Sequence, residues 1–288
     1  MSHTTLISVA DLRAHLADPG WVVLDCRFDL ADPDAGRRRH AQGHIPGARY
    51  VDLNRELSAP VTAHSGRHPL PDPRDFARTA GGWGIGQGSQ IVVYDETNAG
   101  FAARAWWMLR WIGLRTVAVL DGGFAAWHSD NGAIETTAPR RGLTTPAHDL
   151  PARVHADWVL SSAQIEAWRR DPANLLIDAR AAARFAGITE PIDAVAGHVP
   201  GAINRPFSAN LGPDGRLLPA RQLREQWLGA LGGTDPARIA CMCGSGVTAC
   251  QNLLALEVAG LPGAKLYAGS WSEWIRDPSR PVARQSFT

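Results

Sequence analysis

The stretch that decides the fold is residues 238–260, which read Arg-Ile-Ala-Cys-Met-Cys-Gly-Ser-Gly-Val-Thr-Ala-Cys-Gln-Asn-Leu-Leu-Ala-Leu-Glu-Val-Ala-Gly. Its apolar start, Ile239–Met242, predicts a short buried strand. Apolar residues then recur at helical spacing over 253–258, and Gly260 is typical of a helix C-terminus. Cys243 is therefore expected in a tight loop that joins the strand to the helix.

The composition of this loop favours a thiolate at Cys243. Gly244 and Gly246 let the backbone curl, so that successive N–H groups point at one centre. The helix that follows directs its positive N-terminal end at the same place, which stabilises an anion on sulfur. Thr248 is the expected cap of this helix, and Ser245 supplies a hydroxyl donor at the rim of the loop.

Three other interpretations of these cysteines fit less well. A buried structural cysteine accounts for Cys241, but it gives no reason for the two glycines after Cys243. A phosphatase loop needs an Arg six residues after its Cys to hold phosphate, and the corresponding residues are Ala249 and Val247. The spacing of Cys241, Cys243 and Cys250 matches no common zinc motif, and we expect no metal.

Length and composition describe an ordinary soluble globular protein. The chain has 288 residues, enough for two domains, with 45% hydrophobic and 20% charged residues. The net charge of +1 favours neither nucleic acid nor an anionic membrane as a partner, and no apolar run is long enough to span a bilayer. The N-terminus resembles no secretory signal, and the chain has only four cysteines. We therefore expect a cytoplasmic protein without a disulfide framework or a cofactor.

Two sequence motifs occur twice, in the same order. The first half contains a strand-like run that ends in Asp25-Cys-Arg27, followed by the hexapeptide Gly43-His-Ile-Pro-Gly-Ala48. The second half contains Asp178-Ala-Arg180, followed by Gly197-His-Val-Pro-Gly-Ala202. The two hexapeptides lie 154 positions apart (197 − 43). A repeat of this length indicates tandem domains rather than a solenoid.

The elements between the motifs predict the fold class. Residues 91–94 and 117–120 are strand-like, and 104–113 reads as a helix with an apolar belt. A segment at 121–127, Asp-Gly-Gly-Phe-Ala-Ala-Trp, has its counterpart in the aromatic-rich segment 267–274. Strands that alternate with helices predict an α/β protein, in which each half is a parallel sheet flanked by helices.

The repeat fails at one chemically important position. When the flanking strands are aligned, Asp95 stands where the second half has Cys243, and a carboxylate cannot carry sulfur. We therefore predict an inactive N-terminal domain over residues 1–137, a proline-containing linker over 138–153 and a catalytic domain over 154–288. Loops at the carboxyl ends of parallel strands are where α/β folds place their sites.

These motifs resemble the two-domain sulfurtransferases, which comprise the rhodaneses and the 3-mercaptopyruvate sulfurtransferases. The resemblance covers nearly the whole chain and rests on the doubled hexapeptide, on residues 243–248 and on the closing segment 269–274. It implies tandem rhodanese-like domains and a persulfide intermediate on Cys243. A small-molecule donor would supply the sulfur, and cyanide, a thiol or a thioredoxin-like reductant would remove it.

The loop composition also bears on the donor. The sequence of residues 243–248, Cys-Gly-Ser-Gly-Val-Thr, resembles the loop of the mercaptopyruvate enzymes. The loop of the thiosulfate enzymes is instead similar to Cys-Arg-Lys-Gly-Val-Thr, in which two cations face a donor that is a dianion. The resemblance predicts 3-mercaptopyruvate as the donor, with thiosulfate as the alternative and a non-catalytic sulfur carrier as a weaker one. It also implies that four loop residues contact the donor: Gly244, Gly246, Val247 and Thr248.

Three further residues enter through the same resemblance. Arg184 matches the arginine that holds the donor's carboxylate, although it also reads as a solvated arginine on a helix face. The mercaptopyruvate enzymes carry a second Arg soon after the Glu-Pro that follows; here Ile192 and Asp193 follow instead, so that second Arg is missing or comes from elsewhere. His68 matches a histidine that relays protons with the loop serine, Ser245.

Three further positions bear on these assignments. The Asp expected upstream of the relay histidine appears as Ala59 or is shifted. His44 and His198 lie in the hexapeptide turns, where we expect them to hold backbone groups rather than to carry out chemistry.

Overall fold

The structure is a computed structural model that describes residues 2–136 and 150–284. Its residues form two compact units. The described residues of the first unit are 2–59, 70–136, 150–155 and 212–217, and those of the second are 60–69, 156–211 and 218–284. The units therefore exchange two short segments, at 60–69 and 212–217, which the division into contiguous halves did not include. The boundaries at the linker stay a prediction.

The first unit is a five-stranded parallel sheet with the order β1-β5-β4-β2-β3. Its strands are β1 (Leu6–Ile7), β2 (Trp21–Asp25), β3 (Arg49–Tyr50), β4 (Gln90–Tyr94) and β5 (Val117–Leu120). Its helices are α1 (Val9–His15), α2 (Ala35–Gln42), α3 (Pro73–Gly81), α4 (Ala102–Trp111) and α5 (Gly123–Ser129). Every residue of the central strand β4 is buried, as expected for a strand covered on both faces.

The second unit repeats this order as β6-β10-β9-β7-β8, again fully parallel. Its strands are β6 (Val159–Leu160), β7 (Leu175–Asp178), β8 (Ile203–Asn204), β9 (Ile239–Met242) and β10 (Lys265–Tyr267). Its α-helices are α6 (Ser162–Trp168), α7 (Ala182–Ala186), α8 (Ala220–Leu231), α9 (Ala249–Val258) and α10 (Ser270–Trp274). The predicted fold class, two tandem α/β units with parallel sheets, is confirmed.

The doubled Asp-x-Arg unit ties the end of a strand to the doubled hexapeptide. In the first unit Arg27 donates to both oxygens of Asp25, at the end of β2, and its Nη2 donates to the carbonyl of Gly43 at 2.7 Å. The equivalent contacts recur in the second unit at Asp178, Arg180 and Gly197. The nearly equal spacing of the two motifs, 16 residues from Arg27 to Gly43 and 17 from Arg180 to Gly197, therefore serves the fold, because the buried Asp–Arg pair of each unit reaches its hexapeptide.

The two hexapeptide histidines hold backbone groups, as expected. His44 Nδ1 lies 2.7 Å from the His40 carbonyl oxygen, and His198 Nδ1 lies 2.8 Å from that of Phe185. Both rings are buried, and each histidine also exchanges backbone hydrogen bonds with a distant residue, Glu135 or Ala283. Their role is to fasten the turn to the rest of its own unit.

Most of the predicted linker lies outside the described residues. At its described end, the side chain of Leu150 is buried and the N–H of Arg153 donates to the carbonyl of Ile112 at 2.9 Å. This end of the segment therefore packs on the first unit. Among the described residues, we find no helix that combines the length and the apolar character needed to cross a membrane.

Candidate active site

Cys243 lies at the carboxyl end of the second sheet, directly after the central strand β9. Asp178, the last residue of β7, pairs with Met242, the last residue of β9. The next residue, Cys243, therefore leaves the sheet at the edge where α/β proteins place their sites. Its side chain is 2% exposed. The prediction of a strand, a tight loop and a helix around this cysteine is confirmed.

The loop directs a backbone N–H at the sulfur. The N–H of Gly246 donates to Cys243 Sγ at an N···S distance of 3.2 Å. Gly246 has a φ of +75°, and a β-carbon at this position would lie 2.3 Å from the carbonyl oxygen of Ala268. A larger residue would therefore strain the backbone and collide with it, so glycine is required to hold this N–H on the sulfur.

A short helix anchors the loop from outside. Ser270 Oγ accepts the N–H of Cys243 at 3.1 Å, and the N–H groups of Trp271 and Ser272 donate to the carbonyls of Cys243 and Gly244. Ser270 is fully buried, and its φ of +53° is unusual for a residue with a side chain. Sequence reasoning found this segment as a motif but missed its role, which is to hold the backbone of the loop.

Thr248 does not cap the helix in the predicted way. It occupies the N-cap position of α9, but its backbone is already helical (φ −69°, ψ −15°) and its side chain makes no cap hydrogen bond. A capping side chain normally requires an extended backbone, from which its oxygen reaches the N–H groups of the first turn. The prediction of a threonine cap is therefore wrong, although the helix does begin with the next residue.

His68 and Ser245 meet, although 177 positions separate them in the chain. His68 Nδ1 lies 2.7 Å from Ser245 Oγ, and both side chains are 5% exposed. Both residues belong to the second unit, because the segment 60–69 packs there. A β-carbon on Gly66 would come within 2.6 Å of the Gly269 carbonyl, so this close packing depends on a glycine. The predicted pair therefore has the geometry of a hydrogen bond.

Arg184 is held by carboxylates rather than exposed on a helix face. Its Nε and Nη2 donate to Glu190 Oε1 at 3.0 and 2.6 Å, and its Nη2 also donates to Asp193 Oδ2 at 3.0 Å. The side chain is 16% exposed, so the interpretation as a solvated arginine is wrong. Burial opposes the charge of Glu190, but the Arg184 guanidinium and two backbone N–H groups outweigh it and lower the pKa of that carboxyl.

Arg67 is a residue of this site that sequence reasoning did not single out. Its Nη1 forms a very close ion pair with Asp193 Oδ1. A β-carbon built on Gly244 would lie 2.8 Å from Arg67 Nη2 and 3.7 Å from Arg184 Nη1. The side-chain-free position of Gly244 therefore lets two guanidinium groups approach the loop next to Cys243. The dipeptide Arg67-His68 was visible in the sequence, but nothing local linked its arginine to the loop.

The first unit has an aspartate, Asp95, at the position of Cys243. Asp95 follows β4 as Cys243 follows β9, which confirms the alignment of the repeat. Its carboxylate accepts three backbone N–H groups, from Ala99, Phe101 and Ala102, at 2.8–3.1 Å. Burial raises the pKa of Asp95, and these hydrogen bonds oppose that rise. The strand-end loop of the first unit thus directs three backbone N–H groups at one side chain.

The other cysteines lack such surroundings. All four cysteines of the chain are free and buried. Burial raises the pKa of the Cys241 thiol, and burial together with nearby Asp25 raises that of Cys26, so both stay protonated. Cys250 Sγ donates to the carbonyl of Gly246 at 3.4 Å. Among the described residues, no cluster of histidine, cysteine and acidic side chains forms a metal-binding group.

Comparison with known proteins agrees with this geometry. The family model described as the rhodanese-like domain matches the chain twice, over residues 8–130 and 161–277. The chain belongs to the rhodanese-like family. Each match spans one copy of the repeat, from the N-cap of its first helix, Ser8 or Ser161, to just beyond its last helix, α5 or α10.

Full-length relatives of this rhodanese-like protein carry two kinds of name. It is 48% identical to the "Probable 3-mercaptopyruvate sulfurtransferase" of Pseudomonas aeruginosa, over 98% of this chain and 99% of that protein. It is 32% identical to the thiosulfate sulfurtransferase of Bos taurus, over 92% of this chain and 88% of that one. The structure of the 3-mercaptopyruvate sulfurtransferase from Leishmania major superposes with a TM-score of 0.82 at 30% identity, covering 94% of this chain and 74% of that one.

Proposed function

We propose that this rhodanese-like protein is a sulfurtransferase that moves sulfane sulfur from 3-mercaptopyruvate to a thiophilic acceptor through a persulfide on Cys243. The observation that carries the proposal is the arrangement around this cysteine. A backbone N–H of the loop donates to Cys243 Sγ, and the Ser245–His68 pair lies two residues further along the same loop. The names of the full-length relatives support both the reaction class and the donor.

The first half-reaction transfers one sulfur atom and relocates one proton. The Cys243 thiolate attacks the thiol sulfur of mercaptopyruvate, an S–S bond forms, and the bond from that sulfur to the methylene carbon breaks with its electron pair left on carbon. The thiol proton must reach that carbon to complete the methyl group of pyruvate. The products are the enzyme persulfide anion and pyruvate, and charge and hydrogen atoms balance.

Ser245 and His68 are suited to move this proton. A serine hydroxyl both donates and accepts, and an imidazole nitrogen 2.7 Å from it passes a proton on or takes one up. Both groups are buried, so bulk water does not compete for the proton. We assign Ser245 the contact with the donor and His68 the second position of the relay.

The loop is suited to hold the persulfide anion that results. The N–H of Gly246 is directed at the sulfur, and α9 begins three residues further on, at Ala249, with its positive end towards the loop. In the first unit, three backbone N–H groups likewise donate to the side chain of Asp95 at the equivalent position. Gly244, Val247 and Thr248 complete the loop that contacts the donor.

In the second half-reaction the acceptor removes the outer sulfur and restores the thiolate. Cyanide leaves as thiocyanate, and a simple thiol leaves as a persulfide. A thioredoxin-like dithiol reductant is a further acceptor, which becomes a disulfide as sulfide is released. The buried free cysteines fit a reducing compartment, and we therefore propose a cytoplasmic location. The unit that carries Asp95 would take no part in this chemistry.

Thiosulfate is the second candidate donor. Its reaction, in which sulfite leaves with the bonding electron pair, needs no proton transfer. The name of the bovine relative, thiosulfate sulfurtransferase, supports this donor. The sequence of the loop argues against thiosulfate, because Gly244 and Ser245 occupy the positions of Arg and Lys in the pattern of the thiosulfate enzymes.

One set of measurements tests the reaction and the donor. Purified protein receives each donor with cyanide, and thiocyanate and persulfide are quantified. We expect a higher kcat/KM with mercaptopyruvate, and one added sulfur, by mass spectrometry, on the peptide that holds Cys243. Cys243→Ser should abolish transfer, whereas Cys250→Ser should retain most of it. Sulfur on Cys250 would overturn the assignment of the nucleophile.

A double substitution tests the loop as the selector of the donor. Gly244→Arg with Ser245→Lys introduces the two cations of the thiosulfate pattern, and each charge contact with a partly desolvated dianion is worth about 1–3 kcal/mol. We expect the preference to shift towards thiosulfate by at least one power of ten. A wild type that already prefers thiosulfate, or an unshifted double variant, contradicts the donor assignment.

A further inference from the structure

Two guanidinium groups converge on the loop next to Cys243. The position of a β-carbon on Gly244 lies 2.8 Å from Arg67 Nη2 and 3.7 Å from Arg184 Nη1. Arg67 is fixed at its backbone as well, because its N–H donates to Ser272 Oγ at 3.0 Å. The two arginines are 117 positions apart in the sequence (184 − 67), yet both belong to the second unit.

One buried carboxylate aligns the pair. Asp193 Oδ1 pairs with Arg67 Nη1, and Asp193 Oδ2 accepts from Arg184 Nη2 at 3.0 Å. The Asp193 side chain is 4% exposed, and Glu190 fixes a further edge of Arg184. The carboxylates therefore occupy the far edges of both guanidinium groups and leave their near edges directed at the loop.

The near edges retain donors that no described residue of the chain accepts. Within residues 2–136 and 150–284, Arg67 Nη2 and Arg184 Nη1 have no hydrogen-bond partner, and Arg67 Nε is buried without one. A guanidinium group normally satisfies its five donors with a carboxylate, another oxygen acceptor or water. Two Nη groups without a described acceptor, both close to the β-carbon position of Gly244, form a site for an oxygen anion.

The charges around this site favour a monoanion with a planar carboxylate. Arg67, Arg184 and the neighbouring Arg180 carry three positive charges, and their ion-pair partners Asp193, Glu190 and Asp178 carry three negative charges. The cluster thus attracts a ligand through directed N–H groups rather than through excess charge. Such donors suit the two coplanar oxygens of a carboxylate, whereas a dianion also meets the repulsion of the acidic side chains.

We propose that Arg67 is a substrate-binding residue whose Nη2, together with Arg184 Nη1, holds the carboxylate of the sulfur donor over Gly244. This inference rests on the proposed function, and it deepens that function by naming a second guanidinium that contacts the donor. Arg67 thereby supplies the positive group that the sequence after Glu190 lacks, where Ile192 and Asp193 stand.

The sharpest test compares two alkylating agents that differ in charge. The Cys243 thiolate displaces iodide from iodoacetate, an anion, or from iodoacetamide, which is neutral. In Arg67→Gln we expect the ratio of the iodoacetate rate to the iodoacetamide rate to fall about tenfold, because one charge-assisted hydrogen bond is lost. A change in the thiolate itself, or in the fold, slows both reagents and leaves the ratio unchanged.

Controls and overturning results follow from the structure. Arg238→Gln is the matched control, since its exposed ion pair with Asp171 leaves the loop untouched, and we expect the wild-type ratio. Arg67→Lys should give an intermediate ratio, because it keeps the charge and loses the planar fork. A ratio in Arg67→Gln within threefold of wild type would overturn the assignment.

Steady-state kinetics separate this inference from the proposed function. We expect Arg67→Gln to raise KM for mercaptopyruvate about tenfold and to change kcat less than threefold. An unchanged KM in an active protein overturns the role of Arg67 and leaves the sulfurtransferase proposal intact. No turnover of mercaptopyruvate by the wild type overturns the function, while the alkylation ratio still decides whether Arg67 binds anions beside Cys243.

Discussion

Replacing Ser245 should slow sulfur transfer from mercaptopyruvate and leave transfer from thiosulfate nearly unchanged. In Ser245→Ala the protein loses the hydroxyl that lies 2.7 Å from His68 Nδ1, and both groups are 5% exposed. Loss of one such buried hydrogen bond costs about 1 kcal/mol of folding free energy, a small part of the roughly 5–15 kcal/mol that stabilises a protein. The variant should therefore stay folded, and its kinetics should report on chemistry.

The expected magnitude differs between donors because only one reaction moves a proton. A positioned acid–base group contributes about 10²- to 10⁴-fold, so kcat/KM with mercaptopyruvate should fall by that factor. Thiosulfate transfers its sulfur without relocating a proton, and its kcat/KM should change by less than about tenfold. The ratio of the two losses measures the proton relay separately from any distortion of the loop, which would slow both donors.

The assay measures thiocyanate formation with each donor at saturating cyanide. His68→Asn should reproduce the selective loss, and the double variant Ser245→Ala/His68→Asn should be about as slow as the slower single variant, since the two act as a unit. Ser208→Ala replaces an exposed serine and should behave as wild type. Equal losses with both donors, or multiplicative losses in the double variant, would refute the relay.

Three further predictions follow from the loops and their charges. Gly246→Ala should destabilise the protein by about 2–4 kcal/mol in chemical denaturation. Gly229→Ala in helix α8, where a β-carbon meets nothing within 4 Å, should instead stabilise it slightly. Similar values for the two variants would contradict the requirement for glycine at position 246. Asp95→Cys in a Cys243→Ser background should show no sulfur transfer, because residues 96–100 lack the Gly-x-Gly pattern of residues 244–246. Turnover by this variant would mean that the two glycines matter less than we infer. Because the pKa of Glu190 is lowered in the folded protein, the ionised carboxylate stabilises the fold at pH 7, and this stabilisation is lost as the pH falls through that pKa. Glu190→Gln should therefore be less stable than wild type at pH 7, and the difference should shrink at acidic pH. A difference that does not change with pH would argue against an ionic role.

The strands and their order in the chain were readable without a structure. The runs at 21–25, 117–120 and 239–242 are apolar, short and bounded by turn residues, and the structure places strands with these bounds. The helix expected over 104–113 begins two residues earlier, at Ala102, because its start carries no capping side chain that would mark it. Element boundaries depend on such caps more than on the apolar pattern.

The chemistry of the candidate site could also be predicted largely from residues adjacent in the chain. A cysteine followed by Gly-Ser-Gly at a strand end predicts a nucleophile, because such a loop directs backbone N–H groups at the sulfur. The failed prediction concerns Thr248, whose residue type favours a cap but whose backbone is already helical. Residue type alone does not determine backbone conformation at a loop that the neighbouring helix α10 also holds.

The sequence alone determined the doubled α/β fold, the place of Cys243 between a strand and a helix, and the aspartate at the equivalent position, Asp95, because each rests on residues adjacent in the chain. The contact between His68 and Ser245 was suggested only by resemblance, and the convergence of Arg67 and Arg184 on Gly244 was not suggested at all. Both depend on segment 60–69 packing against the second unit, across more than a hundred residues. Such contacts are decided by the packing of complete sheets and helices, which no local pattern of side chains encodes.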